Sequence, residues 1–215
     1  IHAGKQRNVA ADFRVKKYQL DFSMGLNLTG RAKVYVDRSE LKSYRFTLYH
    51  GYKVKQVTDQ TGAALDFRRE HDYVTVTRGG AAVEYLCLEY TGKSPKYYSS
   101  YAGVCLPANF AYYPIPGYRE LFSDNFYGFI DCSLPYDTAF DVRCSGRKQM
   151  YCNLAARGDN HFAGNARSIT LLSGYYDTLK LNDTLVVYPK YADTEIQARI
   201  KKNMGTFTKE HRDIR

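Results

Sequence analysis

Histidine, cysteine and grouped carboxylates are the residue types through which this chain could do chemistry. The histidines are His2, His50, His71, His161 and His211. No two lie close in sequence and no H-E-x-x-H occurs, which excludes a zinc hydrolase site built on one helix of this segment. The cysteines are Cys87, Cys105, Cys132, Cys144 and Cys152. Their odd number precludes a complete set of internal disulfides. No C-x-x-C is present, and no histidine stands at ligand spacing from a cysteine. They read as small buried hydrophobes in strands, with Cys132 and Cys144 as a pair that could join if the protein were exported. Asp131, Asp137, Asp141 and Arg143 make an acid-rich stretch, read as turn capping and solvent-face charge. Gly79-Gly80 follows a strand without opening a helix, so it is a hairpin turn and not a phosphate loop.

The remaining unusual feature is aromatic. Tyr97 to Phe126 is dense in Tyr, Pro and Gly, and irregular segments of that length are uncommon unless they bind or pack against something. Tyr97, Tyr98, Tyr101, Phe110, Tyr112, Tyr113, Tyr118 and Phe122 offer large, rigid contact area at low entropic cost, which is the chemistry of an interface or a cleft wall. The competing reading is that these rings close the end of a sandwich. An open platform and a buried cluster separate the two.

The elements that must position these residues are short strands. Alternation of apolar and polar residues runs from Phe13 through Val15, Tyr18, Leu20 and Phe22, then through Leu28 to Val36, with a bend near Gly25. It resumes at Tyr44–Tyr49, Val54–Thr58, Leu65–Phe67, Tyr73–Thr77 and Val83–Tyr90. Asp59-Gln60-Thr61-Gly62 marks a tight turn. Beyond the aromatic segment, strands are expected at Phe126–Cys132, Ala139–Cys144, Tyr151–Leu154, Ser168–Leu172 and Thr184–Pro189. Only Asp193–Met204 has helical spacing. Strands at such intervals with turns between them are the pattern of an antiparallel β-sandwich, here with one long Tyr/Pro-rich loop and a short C-terminal helix. The division is a lead-in over 1–12, a β-sandwich domain over 13–190, and a linker or connector helix over 191–215.

Composition agrees. The 215 residues include 21 Tyr and 11 Phe but no Trp, a bias toward pleated, half-buried surfaces. No apolar run approaches the roughly 20 residues of a membrane-spanning helix. The chain opens on Ile1 and reads as part of something longer. The net charge of +9 suits an acidic partner or surface. Much of the excess sits at the two ends, while the Tyr-rich middle is only mildly basic, so the aromatic–basic interleaving of a nucleic-acid binder is missing.

Taken in order, these segments resemble the amino-terminal β domain of gluzincin metallopeptidases of the membrane alanyl aminopeptidase type, in the divergent form fused to bacterial ABC-transporter permeases. The residues that carry the resemblance are Tyr18-Gln19-Leu20-Asp21-Phe22, Leu28-Thr29-Gly30-Arg31-Ala32, Tyr44 to Tyr49 with Val54 and Val57, Leu86 to Gly92, Tyr112-Tyr113-Pro114, Ala139 to Cys144, and Tyr188-Pro189. The resemblance covers roughly residues 13 to 190. It implies a non-catalytic domain that packs against, and walls the cleft of, a following zinc-peptidase-like domain. Any zinc would lie in that domain; no cofactor, metal or catalytic residue is assigned to this segment. It also implies transmembrane permease segments of the same protein as partners, membrane association through those segments, and a peptide as the ligand class, with no nucleic acid. Members of the family place a Gln or Glu shortly before the aromatic-proline step to hold the substrate amine, and Ala102 to Tyr113 contains neither. The alternative reading is a stand-alone β-sandwich ligand-binding or sensor domain of a membrane transporter.

Overall fold

A computed structural model describes residues 8–25, 27–99, 103–121, 132–181, 184–190 and 194–210. Sixteen strands and one α-helix are formed among the described residues. The framework is a seven-stranded sheet built from β1 (Val15–Met24), β2 (Leu28–Val36), β4 (Tyr52–Thr58), β7 (Tyr85–Gly92), β10 (Thr138–Gly146), β12 (Ala155–Gly158) and β13 (His161–Ala166). Its order is β12-β13-β10-β1-β2-β7-β4. All neighbours are antiparallel except β1 and β10, which run parallel and bring the two halves of the chain together at the sheet centre.

Alternation does the sorting. On β1, Tyr18, Leu20 and Phe22 are buried; on β2, Ala32, Val34 and Val36; on β7, Leu86, Leu88 and Tyr90. The intervening residues Gln19, Asp21, Arg31 and Lys33 point to the opposite face, because successive strand side chains alternate. A four-stranded sheet of β5 (Phe67–Glu70), β6 (Tyr73–Thr77), β3 (Ser43–Thr47) and β9 (Ile115–Pro116) contributes Tyr44, Phe46, Val74, Val76 and Ile115 to the same core. A three-stranded sheet of β11 (Met150–Cys152), β14 (Leu171–Gly174) and β8 (Gly103–Leu106) adds Leu106, Met150 and Leu171. The all-β sandwich is therefore formed, with one large sheet facing two small ones. A separate ribbon, β15 (Tyr176–Leu181) and β16 (Thr184–Pro189), and the helix α1 (Thr194–Glu210) complete the described chain.

The local signals act as their chemistry requires. Asp59 Oδ1 accepts hydrogen bonds from the Thr61 amide and hydroxyl and from the Ala63 amide, and Gly62 takes φ 86°. Gly30 lies beneath the Tyr90 ring, where a Cβ would approach ring carbons to 2.4 Å. Residues 8–12, read as a lead-in, are tied to the domain. Val9 and Tyr118 exchange backbone hydrogen bonds of 2.8 Å, and the Arg38 guanidinium donates to the Asp12 carbonyl. The helix runs a turn and a half past Met204, and the strand expected at Phe126–Cys132 falls outside the described residues up to Cys132. No disulfide joins the five cysteines, Cys132 and Cys144 included.

Candidate interdomain interface

The aromatic segment begins at Pro95, whose carbonyl accepts from the Tyr98 amide and starts a 3-10 turn over Lys96–Tyr98. Strand β8 then pairs with β14, Leu106 opposite Leu171 and Gly103 opposite Gly174. Gly103 is required by this pairing, since a Cβ there would stand 2.3 Å from the Ser173 carbonyl oxygen. Pro107 turns the chain, accepting from the Phe110 amide. From Ala111 to Ile115 the chain passes through the core between the large sheet and the small ones. Gly117, at φ 85°, brings it back out against residues 9–11.

A buried irregular segment must find partners for its carbonyls, because strands on either side offer none. Tyrosine hydroxyls supply them here. The Tyr90 hydroxyl donates to the Tyr112 carbonyl at 2.9 Å, and the Tyr18 hydroxyl donates to the Pro114 carbonyl at 2.8 Å. The Tyr112 hydroxyl donates to the Ile169 carbonyl at 2.8 Å, and the Tyr49 amide donates to the Ala111 carbonyl. Burial drives the Tyr18, Tyr90 and Tyr112 phenols well above their ordinary range, since ionisation in that environment would leave an unsolvated charge. The rings touch in two groups: Phe110 meets Tyr49 at 5.1 Å and Tyr98 at 4.8 Å, while Tyr112 meets Phe22 at 5.6 Å and Tyr113 at 5.1 Å, and Tyr113 meets Tyr18 at 5.4 Å. Three tyrosine rings thus fill core volume while their hydroxyls satisfy buried carbonyls, two of them in the threaded segment.

Of the eight rings read as a possible interface or cleft wall, Phe110, Tyr112 and Tyr113 are 3%, 0% and 0% exposed and lie in the core. Tyr98 is half-buried against Phe110. Tyr118 is half-buried too, stacked on Tyr73 at 4.5 Å and sharing a hydroxyl–hydroxyl hydrogen bond with Thr75. The Tyr97 ring, Tyr101 and Phe122 lie outside what the structure describes.

What the fold leaves uncovered is the ribbon, a feature without a distinctive sequence signal. Tyr175 just before it is 49% exposed and Leu185 within it 55%; Val186, Val187 and Tyr188 are half-exposed. A two-stranded ribbon is marginal by itself in water, and this one belongs to neither face of the sandwich. Its base touches the three-stranded sheet, with the Tyr176 and Tyr151 rings 6.2 Å apart and the Tyr176 hydroxyl 3.5 Å from the Val104 carbonyl. Nearby, a cleft of about 360 Å³ opens between Met24, Leu28, Lys96 and Val104. The exposed ribbon, the β8 strand with exposed Cys105, and this cleft adjoin one another through Val104.

The groups singled out for chemistry do not assemble into a reactive centre. His50 Nδ1 lies 2.9 Å from Asp72 Oδ1, at a turn, and His161 Nε2 lies 2.9 Å from Asp141 Oδ1, with Arg143 at 3.8 Å from the same oxygen. Asp131, His2 and His211 are outside the described residues. These His–Asp pairs span 22 and 20 residues and arise from strand register, which no spacing motif encodes. Among the described residues, no three His, Cys, Asp or Glu side chains gather as a metal site, and no helix is long and apolar enough to cross a membrane. The Cys144 thiol is pushed up to about 12 and Cys152 to about 11, chiefly by burial, which makes them poor nucleophiles.

No family model matches the chain, and no curated protein sequence does. Its fold, however, recurs in solved structures. Yeast leukotriene A4 hydrolase in complex with bestatin aligns over 97% of this chain and 37% of its own, at 10% identity and a TM-score of 0.65. The native Saccharomyces cerevisiae leukotriene A4 hydrolase aligns over 92% and 35%, at 11% identity and a TM-score of 0.60. An M1 zinc metallopeptidase variant from Deinococcus radiodurans aligns over 88% and 49%, at 15% identity and a TM-score of 0.54. At these identities the likeness is one of fold. The chain spans about a third to a half of the length of the structures it matches.

Proposed function

We propose that this chain is the non-catalytic β domain of a zinc-peptidase-like protein and that it seats on a following catalytic domain. The observation that carries the reading is the fold likeness. Nearly the whole of this chain corresponds to a third to a half of structures titled as zinc metallopeptidase or leukotriene A4 hydrolase. The seating surface is the ribbon β15–β16 together with the β8 strand and the adjoining cleft. Leu185, Val187 and Tyr188 need cover that the domain itself does not provide. The reading places zinc in the following domain, on residues outside this chain, and leaves this domain to wall a peptide-binding cleft. In the finer form of the proposal the whole protein is an ABC-transporter permease fusion, membrane-associated through its other segments; the sequence resemblance is its support.

The test is to express the chain with the polypeptide that follows it in its parent protein, and to assay zinc content and cleavage of amino-acid p-nitroanilides. Leu185→Asp is expected to leave the isolated chain folded and to weaken its association with the following domain. A parent protein in which the following segment contains no zinc motif would overturn the reading.

A further inference from the structure

The large sheet has a second face, which neither the core nor the ribbon uses. Across it the register sets out rows of side chains: Lys17, Tyr35 and Tyr85 in one; Asp141, Gln19, Lys33 and Cys87 in the next; Arg143, Asp21, Arg31 and Glu89 in a third. Two carboxylates of this face have partners within it. Glu89 is held by Arg31 at 3.3 Å and by the Gln56 amide at 2.9 Å, and Asp141 by His161 and Arg143. Asp21 stands between Arg31 and Arg143 in its row.

Lys17 and Lys33 are arranged differently. The Lys17 ammonium sits 5.9 Å from the Tyr35 ring centre and the Lys33 ammonium 5.2 Å from that of Tyr85. The two rings lie 4.9 Å apart, and the Tyr35 hydroxyl is fixed by donating to Gln19 Oε1 at 2.8 Å. Cation–π contact restrains the two lysine stems without consuming their charge. The result is a pair of ammonium groups beside an aromatic pair, in a field where Glu89 and Asp141 have basic neighbours and Glu84 lies near Tyr35. Both ammonium groups lie on the same side of the sheet as the rings, so this part of the face presents positive charge. The surface is therefore complementary to carboxylates, and the chain's net charge of +9 draws an acidic partner toward it.

We propose that this face docks a carboxylate-rich segment of a separate protein, centred on Lys17, Lys33, Tyr35 and Tyr85. A separate protein is favoured over the rest of the same chain by geometry. The ribbon leaves from the three-stranded sheet, whose Leu106, Met150 and Leu171 pack in the core on the opposite side of the large sheet. The proposal does not depend on the peptidase reading.

The experiment uses the 215-residue chain and a fluorescein-labelled deca-glutamate peptide, followed by anisotropy, with deca-glutamine and a single-stranded oligonucleotide as comparators. Deca-glutamate is expected to bind in preference to both. Its affinity should fall about tenfold in the K17Q/K33Q double variant, the loss of two exposed ion pairs. The K17R/K33R variant should keep it, K201Q/K202Q on α1 should leave it unchanged, and added salt should weaken it. Backbone amide shift mapping on the unsubstituted chain gives a readout that does not rely on any variant folding, with perturbations expected on β1, β2 and β7. Equal binding of deca-glutamine, or shifts confined to α1, would overturn the proposal. An oligonucleotide that binds more tightly than deca-glutamate through Lys17 and Lys33 would also overturn it, in favour of nucleic acid.

Discussion

Two adjacent tyrosines, both fully buried, should respond oppositely to loss of one oxygen atom. The Tyr112 hydroxyl donates to the Ile169 carbonyl at 2.8 Å. Tyr112→Phe would strip that buried carbonyl of its donor, at a cost of about 1–3 kcal/mol for an unsatisfied buried acceptor. The Tyr113 hydroxyl is equally buried and lacks a hydrogen bond of good geometry, although the Ile169 backbone lies near it, so the native state already carries much of the penalty of desolvating it. Tyr113→Phe removes the unsatisfied group and keeps the ring, with its edge contacts to Tyr18 and Phe140 at 5.4 and 5.9 Å. It should be neutral or stabilising by up to about 1 kcal/mol. Urea unfolding at constant m-value resolves this. For a domain of this size the difference corresponds to several degrees in Tm, at roughly 2–4 °C per kcal/mol. If Tyr113→Phe lowers the midpoint as much as Tyr112→Phe, then the Tyr113 hydroxyl is bonded and the description of the threaded segment is wrong.

Gly30→Ala would drive a Cβ to 2.4 Å from the Tyr90 ring, so it is expected to destabilise by about 2 kcal/mol or more through overpacking, read as a lowered midpoint in the same urea assay. Alkaline pH should unfold the protein. The buried phenols of Tyr18, Tyr90 and Tyr112 titrate above their unfolded values, so the stability they confer is complete below about pH 10 and is lost as pH rises further through their folded values. Circular dichroism against pH follows this, and a structure unchanged well beyond that point would argue against their burial. In a thiol titration at neutral pH, exposed Cys105 should react first, Cys144 and Cys152 slowly, and buried Cys87 and Cys132 only on unfolding.

Much of the framework was legible because alternation is a local signal. Tyr18, Leu20 and Phe22 face inward for the same reason that Gln19 and Asp21 face outward, and the Asp59–Gly62 turn carries its own hydrogen-bonding chemistry. The parallel junction of β1 with β10 was not legible, since pairing across more than a hundred residues leaves no trace in either strand. The aromatic segment was recognised as unusual but its role was not determined by composition. Phe110, Tyr112 and Tyr113 are as consistent with a platform as with a core; what settles them is that Tyr18 and Tyr90, far away in sequence, bring hydroxyls to the segment's carbonyls. The ribbon gave no warning, because Thr184 to Pro189 alternates no differently from a core strand, and Leu185 is exposed because no layer among the described residues opposes it. The Lys17–Tyr35 and Lys33–Tyr85 pairs likewise arise from register between strands.

The central claim is that this domain is completed by a neighbour seated on the β15–β16 ribbon. Backbone hydrogen exchange of Tyr176–Pro189, measured in the 215-residue chain and again in the intact parent protein, tests it directly. The account predicts rapid exchange of the ribbon in the isolated chain and strong protection in the parent, with the strands of the large sheet protected equally in both. A ribbon that exchanges at the same rate in both would contradict it.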